Sequence, residues 1–593
     1  MIERMKKITV IVSLRERTGF VKKLRKLGVL HIKAVVKDDF REVSFIEDRI
    51  SRIDRFIRQV LPYDEGRPDR RVSGTERDVL SSEEDTAQDL RDRQEALTKL
   101  EELRHEKERL EEWGNIDPLS LKTLDNAGVY VKLYEVPVKK MAKLPSGLIY
   151  EIGRSGGIAR AALVTRDAEK ELPFSETELP DRSRAGIEKE ERALSARIDE
   201  IEERMKNRAR GLAAARECLE KLRKELVFLK VKSGMKNESA FAYLQGFCPE
   251  KKLPGLRSLC DGENAGFVAE EPDNPEETPT LITNPRWIEL VKPVFDFMNT
   301  LPGYREFDIS ALFLVFFSLF FAMIIGDAGY GLIFIAATYL ARRKFKDAPR
   351  EPFFLIYLLG GCTVIWGALT GTWFGVEKLS TAPVLGALVI ESIGSFTEGN
   401  QNLIIFICFI IGAVHLTLAH AMRIIRYSNS LKVLAEAGWI MILWGLFFAA
   451  VKFVLGGDFP VWAGWLLAVG ATLALFFAEP EKGIVKGAMS TLTQLPLSVI
   501  SSFSDVVSYL RLFAVGYATV VVAGSFNNMA IGDGVTGILG SFIAAMVLFL
   551  GHTLNIVLGC MAVIVHGIRL NMLEFSGHLG MQWTGKKYDP FRE

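Results

Sequence analysis

The chain has 593 residues, 49% of them hydrophobic and 25% charged, with a formal net charge of +1. That length excludes a single ordinary domain. The averages also conceal two halves, charged and soluble-looking to about residue 300 and dominated by long apolar runs beyond it, so the net charge says little about partners. Six scattered cysteines (Cys218, Cys248, Cys260, Cys362, Cys408, Cys560) form no CxxC pair and have no histidine at ligand spacing. They read as reduced core or lipid-side residues, and no metal, cofactor or nucleic-acid partner is expected.

The opening "MIERMKKITVIVSLRER" is not a signal peptide, because its apolar run is short and is followed by charge. The first half is therefore expected to stay in the cytoplasm. "KKITVIVS" predicts a strand, a basic helix follows, and "GVLHIKAV" predicts a second strand, together a small α/β unit. Ile46, Ile50, Ile53, Ile57 and Val60 fall on one helical stripe. The polar stretch 62–88 reads as a loose linker, and Leu90 to Trp113 as another helix. The longest periodic seam runs from Leu194 to Leu229. A single helix over 186–231 would reach roughly 70 Å and must pair, most simply with the earlier helices, in an antiparallel coiled coil. Strand-like segments in 128–184 and 240–270 would form a distal lobe. The expectation for 1–300 is thus a rigid two-lobed α/β arm.

Residues 301–593 carry apolar runs at 309–341, 353–376, 402–422, 433–455, 461–478, 503–530 and 535–573, each long enough to cross about 30 Å of hydrocarbon. Seven crossings, with the first half of the chain inside, would put both basic clusters, "ARRKFK" and "MRIIRYSNSLK", outside. The positive-inside rule places both in the cytoplasm only if the first run is two short spans hinged at "GDAGYG" (326–331). The expected domain is mostly α, with eight spans, both termini cytoplasmic and two long tilted helices at its C-terminal end.

Those last two helices carry the candidate site. His552, Asn555, Gly559, Ala562, His566 and Arg569 step 3-4-3-4-3 along one face, with Glu574 beyond. On the preceding helix Asp505, Ser508 and Arg511 step by three, and Thr519 lies two turns further. An arginine within an apolar span costs several kcal/mol or more, so Arg511 calls for an anionic or aqueous partner. His415 and His420 read as packing, and Asp327 as either a turn residue or part of a path.

"SYLRLFAVGYA", "FFAMIIGDAGYG" and "VIVHGIRLNMLEF" resemble the signature stretches of the membrane-embedded a subunit (subunit I) of V-type and archaeal A-type rotary ATPases. "GVLHIKAV" and "LQGFCPEKKL" resemble weaker N-terminal signatures of the same family. The resemblance implies a stator subunit that forms two offset ion half-channels against a proteolipid ring bearing membrane carboxylates. It also implies peripheral stalk subunits as partners, and a central stalk and soluble ATPase sector reached through the complex. Arg511 and Arg569 match the ring-facing arginines, His566 and Glu574 flank the ion path, and Asp327 matches an acidic residue near the outer half-channel. Thr519 and Gly559 depart from the eukaryotic pattern, which has histidine and glutamate there. No GxxxxGK[ST] occurs, so ATP chemistry belongs to other subunits. The sequence leaves H+ or Na+ open as the coupling ion, and likewise synthesis or hydrolysis of ATP. A secondary ion transporter with a regulatory coiled-coil arm is the alternative, and would require inverted repeats with broken helices.

Overall fold

The computed structural model describes residues 1–33, 41–66, 75–114, 116–141, 148–177, 182–238, 240–346, 348–396, 399–532, 534 and 537–592. It divides into two compact units, Ile11–Lys23 with Ala34–Leu244, and Met1–Val10 with Leu24–Lys33 and Gln245–Arg592.

In the first of these units the apolar stripe of helix Arg41–Val60 buries Ile46, Ile53, Phe56 and Val60 against Leu212, Ala215, Leu219 and Leu222. Helix Glu76–Glu112 packs Ala96 and Leu100 on Ile198, and Leu103 and Leu110 on Ile187. Partner numbers fall as the helix rises, so the two helices run antiparallel. Ion pairs repeat that order: Asp89–Arg204 at 2.7 Å, Arg93–Glu202 at 2.8 Å, Asp92–Arg197 at 3.1 Å and Lys107–Glu191 at 3.2 Å.

Two expectations change here. Residues 76–88 are helix rather than linker, because Thr75 and Asp78 form a capping box that satisfies both of their backbone amides; 67–74 lie outside the described residues. The seam 194–229 is two helices, Arg184–Ala209 and Leu212–Ser233, rather than one. At Arg210 and Gly211 the amides bond three residues back, to Asn207 and Arg208, which ends the α-helical ladder.

A three-stranded antiparallel sheet, with Ile158–Thr165 between Tyr130–Pro137 and Ile149–Ser155, forms within the stretch 128–184. The stretch 240–270, expected beside it, goes elsewhere. Phe241–Pro249 lies between His31–Lys33 and Met5–Ser13, and Gly266–Glu270 completes the order. Gly246 permits this pairing: a Cβ there would sit 2.5 Å from the His31 carbonyl oxygen.

The second unit also holds the apolar helices. Ser310–Ile325 ends where Gly326 adopts φ +67°, and Ala328–Lys344 leaves at 118° to it. The long first run is therefore two helices hinged at "GDAGYG". Glu351–Thr370, Gln401–Arg426, Lys432–Leu455, Val485–Ile531 and Gly537–Leu579 are each long and apolar enough to cross a membrane, and Val461–Phe477 is a shorter apolar helix. The last two are helical stretches of 47 and 43 residues; the first of them begins well before the apolar run at 503, carries Pro496, and is interrupted at Tyr509. Phenylalanines 313, 317 and 320 lead the shared core with Phe409, Tyr509 and Phe575. Helix Leu510–Ile531 crosses Ser310–Ile325 so closely at Gly516 that a Cβ there would meet the Met323 carbonyl at 2.3 Å. Beyond the last helix the chain returns: Lys586–Lys587 pairs in parallel with Pro279–Thr280, and Gly585 N donates to Leu301 O at 3.1 Å.

Candidate functional site: an arginine pair beside a lined cavity

The last helix changes its winding. After Ala562, residues Val563–Gly567 and Leu570–Phe575 are π-wound. The i→i+5 turn is wider than the 3.6-residue α turn, so successive inward positions fall four apart rather than alternating between three and four. The buried positions accordingly run Gly559, Val563, Gly567, Asn571 and Phe575, and Glu574 turns inward to 3% exposure.

There Glu574 Oε1 accepts from Arg511 Nη2 at 2.5 Å and lies 3.6 Å from Arg569 Nε. Arg511 Nε also donates to the Ser508 carbonyl at 3.0 Å, across the interruption at Tyr509. Two guanidiniums thus share one carboxylate oxygen. Arg569 remains 54% exposed, beside Leu573, Val565 and Met561 on the uncovered face of the helix. The other carboxylate oxygen, Glu574 Oε2, is buried with no hydrogen-bond partner among the described residues, as is His566 Nδ1.

A cavity of about 460 Å³ opens here, lined by Arg569, Glu574, Ser498, Ser501, Ser502 and Asp505, and by a group that spacing did not single out. His578 Nε2 lies 3.2 Å from Asp505 Oδ2, His578 Nδ1 lies 3.0 Å from His420 Nε2, and His420 Nδ1 lies 2.7 Å from Glu436 Oε2. Arg423 holds the other Glu436 oxygen at 2.8 Å and donates to the His578 carbonyl at 3.1 Å. His420, read from sequence as packing, is therefore a member of a polar string. His415 is the packed one, stacked between Phe316 and Phe575 with Nδ1 2.9 Å from Tyr509 Oη.

A second polar group sits further along the same helices. Tyr330 Oη lies 2.8 Å from His552 Nδ1 and accepts from Asn555 Nδ2 at 3.0 Å. His552 Nε2 lies 3.1 Å from Asn527 Oδ1, and Asn555 Nδ2 also donates to Thr519 O at 2.8 Å. The Thr519 hydroxyl is held by the Gly516 and Ile325 carbonyls. Asp327 is a helix cap: it accepts from Gly329 N at 2.8 Å, Tyr330 N at 3.3 Å and Gly375 N at 3.0 Å. Between the two groups, Leu512 to Ala518 offers no ionisable side chain except Tyr517. Among the described residues no cluster of His, Cys, Asp or Glu is arranged to hold a metal ion.

No family model matches the chain. The V-type ATP synthase subunit I 1 of Treponema pallidum is 29% identical over 627 residues, covering 100% of both chains. The V-type ATP synthase subunit I of Borreliella burgdorferi is 29% identical over 622 residues, again covering 100% of both. The A-type ATP synthase subunit I of Methanocaldococcus jannaschii is 26% identical over 387 residues, 59% of this chain and 55% of that one. The likeness to V-type ATP synthase subunit I thus extends from end to end, that to the A-type subunit over 59% of the chain, and the chain has homologues named V-type and A-type ATP synthase subunit I.

Proposed function

We propose that this chain is the membrane stator of a V/A-type rotary ATPase, coupling H+ or Na+ flux to rotation of a proteolipid ring. The observation that carries the reading is the charge balance at Arg511, Arg569 and Glu574. Two permanent cations and one carboxylate leave one positive charge unmatched, on the uncovered side of an apolar helix. Arginine is not deprotonated in proteins, so that charge must be met by an anion from outside the chain or by water. A ring carboxylate, anionic when empty and neutral when loaded, fits this need: it is held only while empty, so a loaded site must release its ion on arrival. The cavity at Asp505 and Glu574 would be the inner half-channel. The Tyr330–His552–Asn555 group would be the outer one, with Asp327 supporting its fold and Thr519 and Ser508 supplying backbone anchorage. The apolar stretch between them would block direct leak.

The contact between 279–280 and 586–587 supports the topology. The first of these segments precedes every apolar helix and the second follows them all. Both ends of the helical array therefore lie on one side, which requires an even number of crossings and favours two spans at the hinge. With both basic clusters inside, the arm and C-terminal segment are cytoplasmic, and the arm serves to bear torque towards peripheral stalks and the soluble sector. The transporter alternative would use the helix N-terminus at the hinge as a substrate site; Asp327 already occupies those amides.

The test is a purified, fully assembled complex carrying Arg511→Ala or Arg511→Lys. Both variants should assemble and lose ATP-driven ion transport, because lysine lacks the planar fork and can shed its proton when desolvated. Near-normal coupled transport by assembled Arg511→Ala would refute the reading.

A further inference from the structure

The string from Asp505 through His578 and His420 to Glu436 has three links, each at hydrogen-bond distance. Each link needs one proton. A neutral imidazole supplies one proton and an ionised carboxylate none, so two neutral rings between two carboxylates supply only two. If His420 donates from Nδ1 to Glu436 and His578 donates from Nε2 to Asp505, the facing atoms, His420 Nε2 and His578 Nδ1, are both lone pairs. Their 3.0 Å separation then holds no hydrogen. Moving a proton onto either carboxylate reverses the direction of a link and leaves the total required unchanged.

We infer that this string stores one extra proton, shared between His420 and His578, and that this proton is the one exchanged with the ring through the inner cavity. Its position there rests on the half-channel reading above; the proton count does not. Charge supports the count independently. The groups facing the rings are Glu436 and Arg423, from helices Lys432–Leu455 and Gln401–Arg426, Asp505 from Ile484–Ser508, and the Trp439 ring stacked on His420. Two carboxylates, one guanidinium and the shared proton sum to zero; without the proton the cluster, buried at its His420–Glu436 end and part-exposed at Asp505, is left with a net negative charge, which is costly at the buried end. Arg569 and Glu574 line the same cavity and are paired with each other. Glu574, on the same wall, is held by Arg511 as well as by Arg569.

The experiment has two arms. In the first, the full chain labelled with 15N-histidine is placed in lipid nanodiscs. At about pH 7.5, where an ordinary imidazole is almost wholly neutral, the spectrum should contain an imidazolium signal. Both His420→Gln and His578→Gln should remove it, as should Asp505→Asn, which alters the solvent-facing end without disturbing the packed one. Neutral rings at both positions in the unaltered chain overturn the stored proton. In the second arm, the assembled complex carrying each variant should lose ATP-driven proton uptake by roughly 100-fold. The His420→Gln/His578→Gln double variant should be no worse than either single one, because a string broken once is already broken. An imidazolium signal with unchanged uptake in His420→Gln overturns the exchange role while leaving the half-channel standing. Retained transport in Arg511→Ala removes the half-channel reading, and the nanodisc spectrum still decides the proton count.

Discussion

Glu574 sets the electrostatics of the arginine pair. Replacing it by glutamine preserves shape and leaves two guanidiniums against a neutral amide. Loss of the carboxylate that pairs a part-buried charge costs about 3 kcal/mol, so Glu574→Gln should lower the yield and thermal stability of the extracted chain. Adding Arg569→Gln to it removes one of the two cations and should recover much of that loss; no recovery would mean that Glu574 acts by packing alone. Arg511, Arg569 and His566 were legible in the sequence because charge inside an apolar run stands out against its surroundings. The Glu574–Arg511 contact was not, since counting by 3.6 fails where the helix is π-wound. His420, Glu436 and His578 escaped for a different reason: they come from three helices, and no spacing within one segment unites them.

At the scale of elements, the antiparallel pairing of helices within 41–233 was legible from apolar stripes at 46–60, 90–113 and 194–229. The capping box at Thr75 and the break at Gly211 were not, because both depend on local backbone hydrogen bonds that composition masks. Asp89 fastens the pair just beyond the stretch 62–88, which reads as linker in the sequence. Burial alone would push its carboxyl up, but hydrogen bonds from Arg204 and Arg208, strengthened by their charge, outweigh burial and hold it below the usual carboxylate value. A carboxyl with a depressed folded-state pKa stabilises the fold above its unfolded value, near 3.9, and that contribution disappears as pH falls through the folded-state value. Asp89→Asn should therefore loosen helices Glu76–Glu112 and Arg184–Ala209 at neutral pH by about 1.5–3 kcal/mol. Hydrogen exchange across 86–92 and 201–208 reads this directly. The difference from the unaltered chain should close as the pH is lowered below that range; a difference that persists in acid would assign the effect to packing.

At the scale of the molecule, the proposed topology, with 279–280 and 586–587 on one side, makes a prediction for every loop. In a background without native cysteines, Lys344→Cys, at the exposed end of helix Ala328–Lys344, should react only from the cytoplasm. Val384→Cys and Ser392→Cys, in the exposed segment after Glu351–Thr370, should react only from outside. The opposite pattern would make the hinged pair a single bent crossing. Basic clusters suggested where the chain turns back, but the pairing of segments about 300 residues apart leaves no local trace in a sequence.

That pairing also orders events during synthesis. Pro279 leaves the ribosome 307 residues ahead of Lys586, its register partner (586 − 279). At about 5–20 residues per second, the wait is roughly 15–60 s. Throughout it the strand is an open edge, available to chaperones or to neighbouring chains. Only a polypeptide that has completed every apolar helix can cover it, so the seam distinguishes a finished subunit from a truncated one before either meets the rest of its assembly.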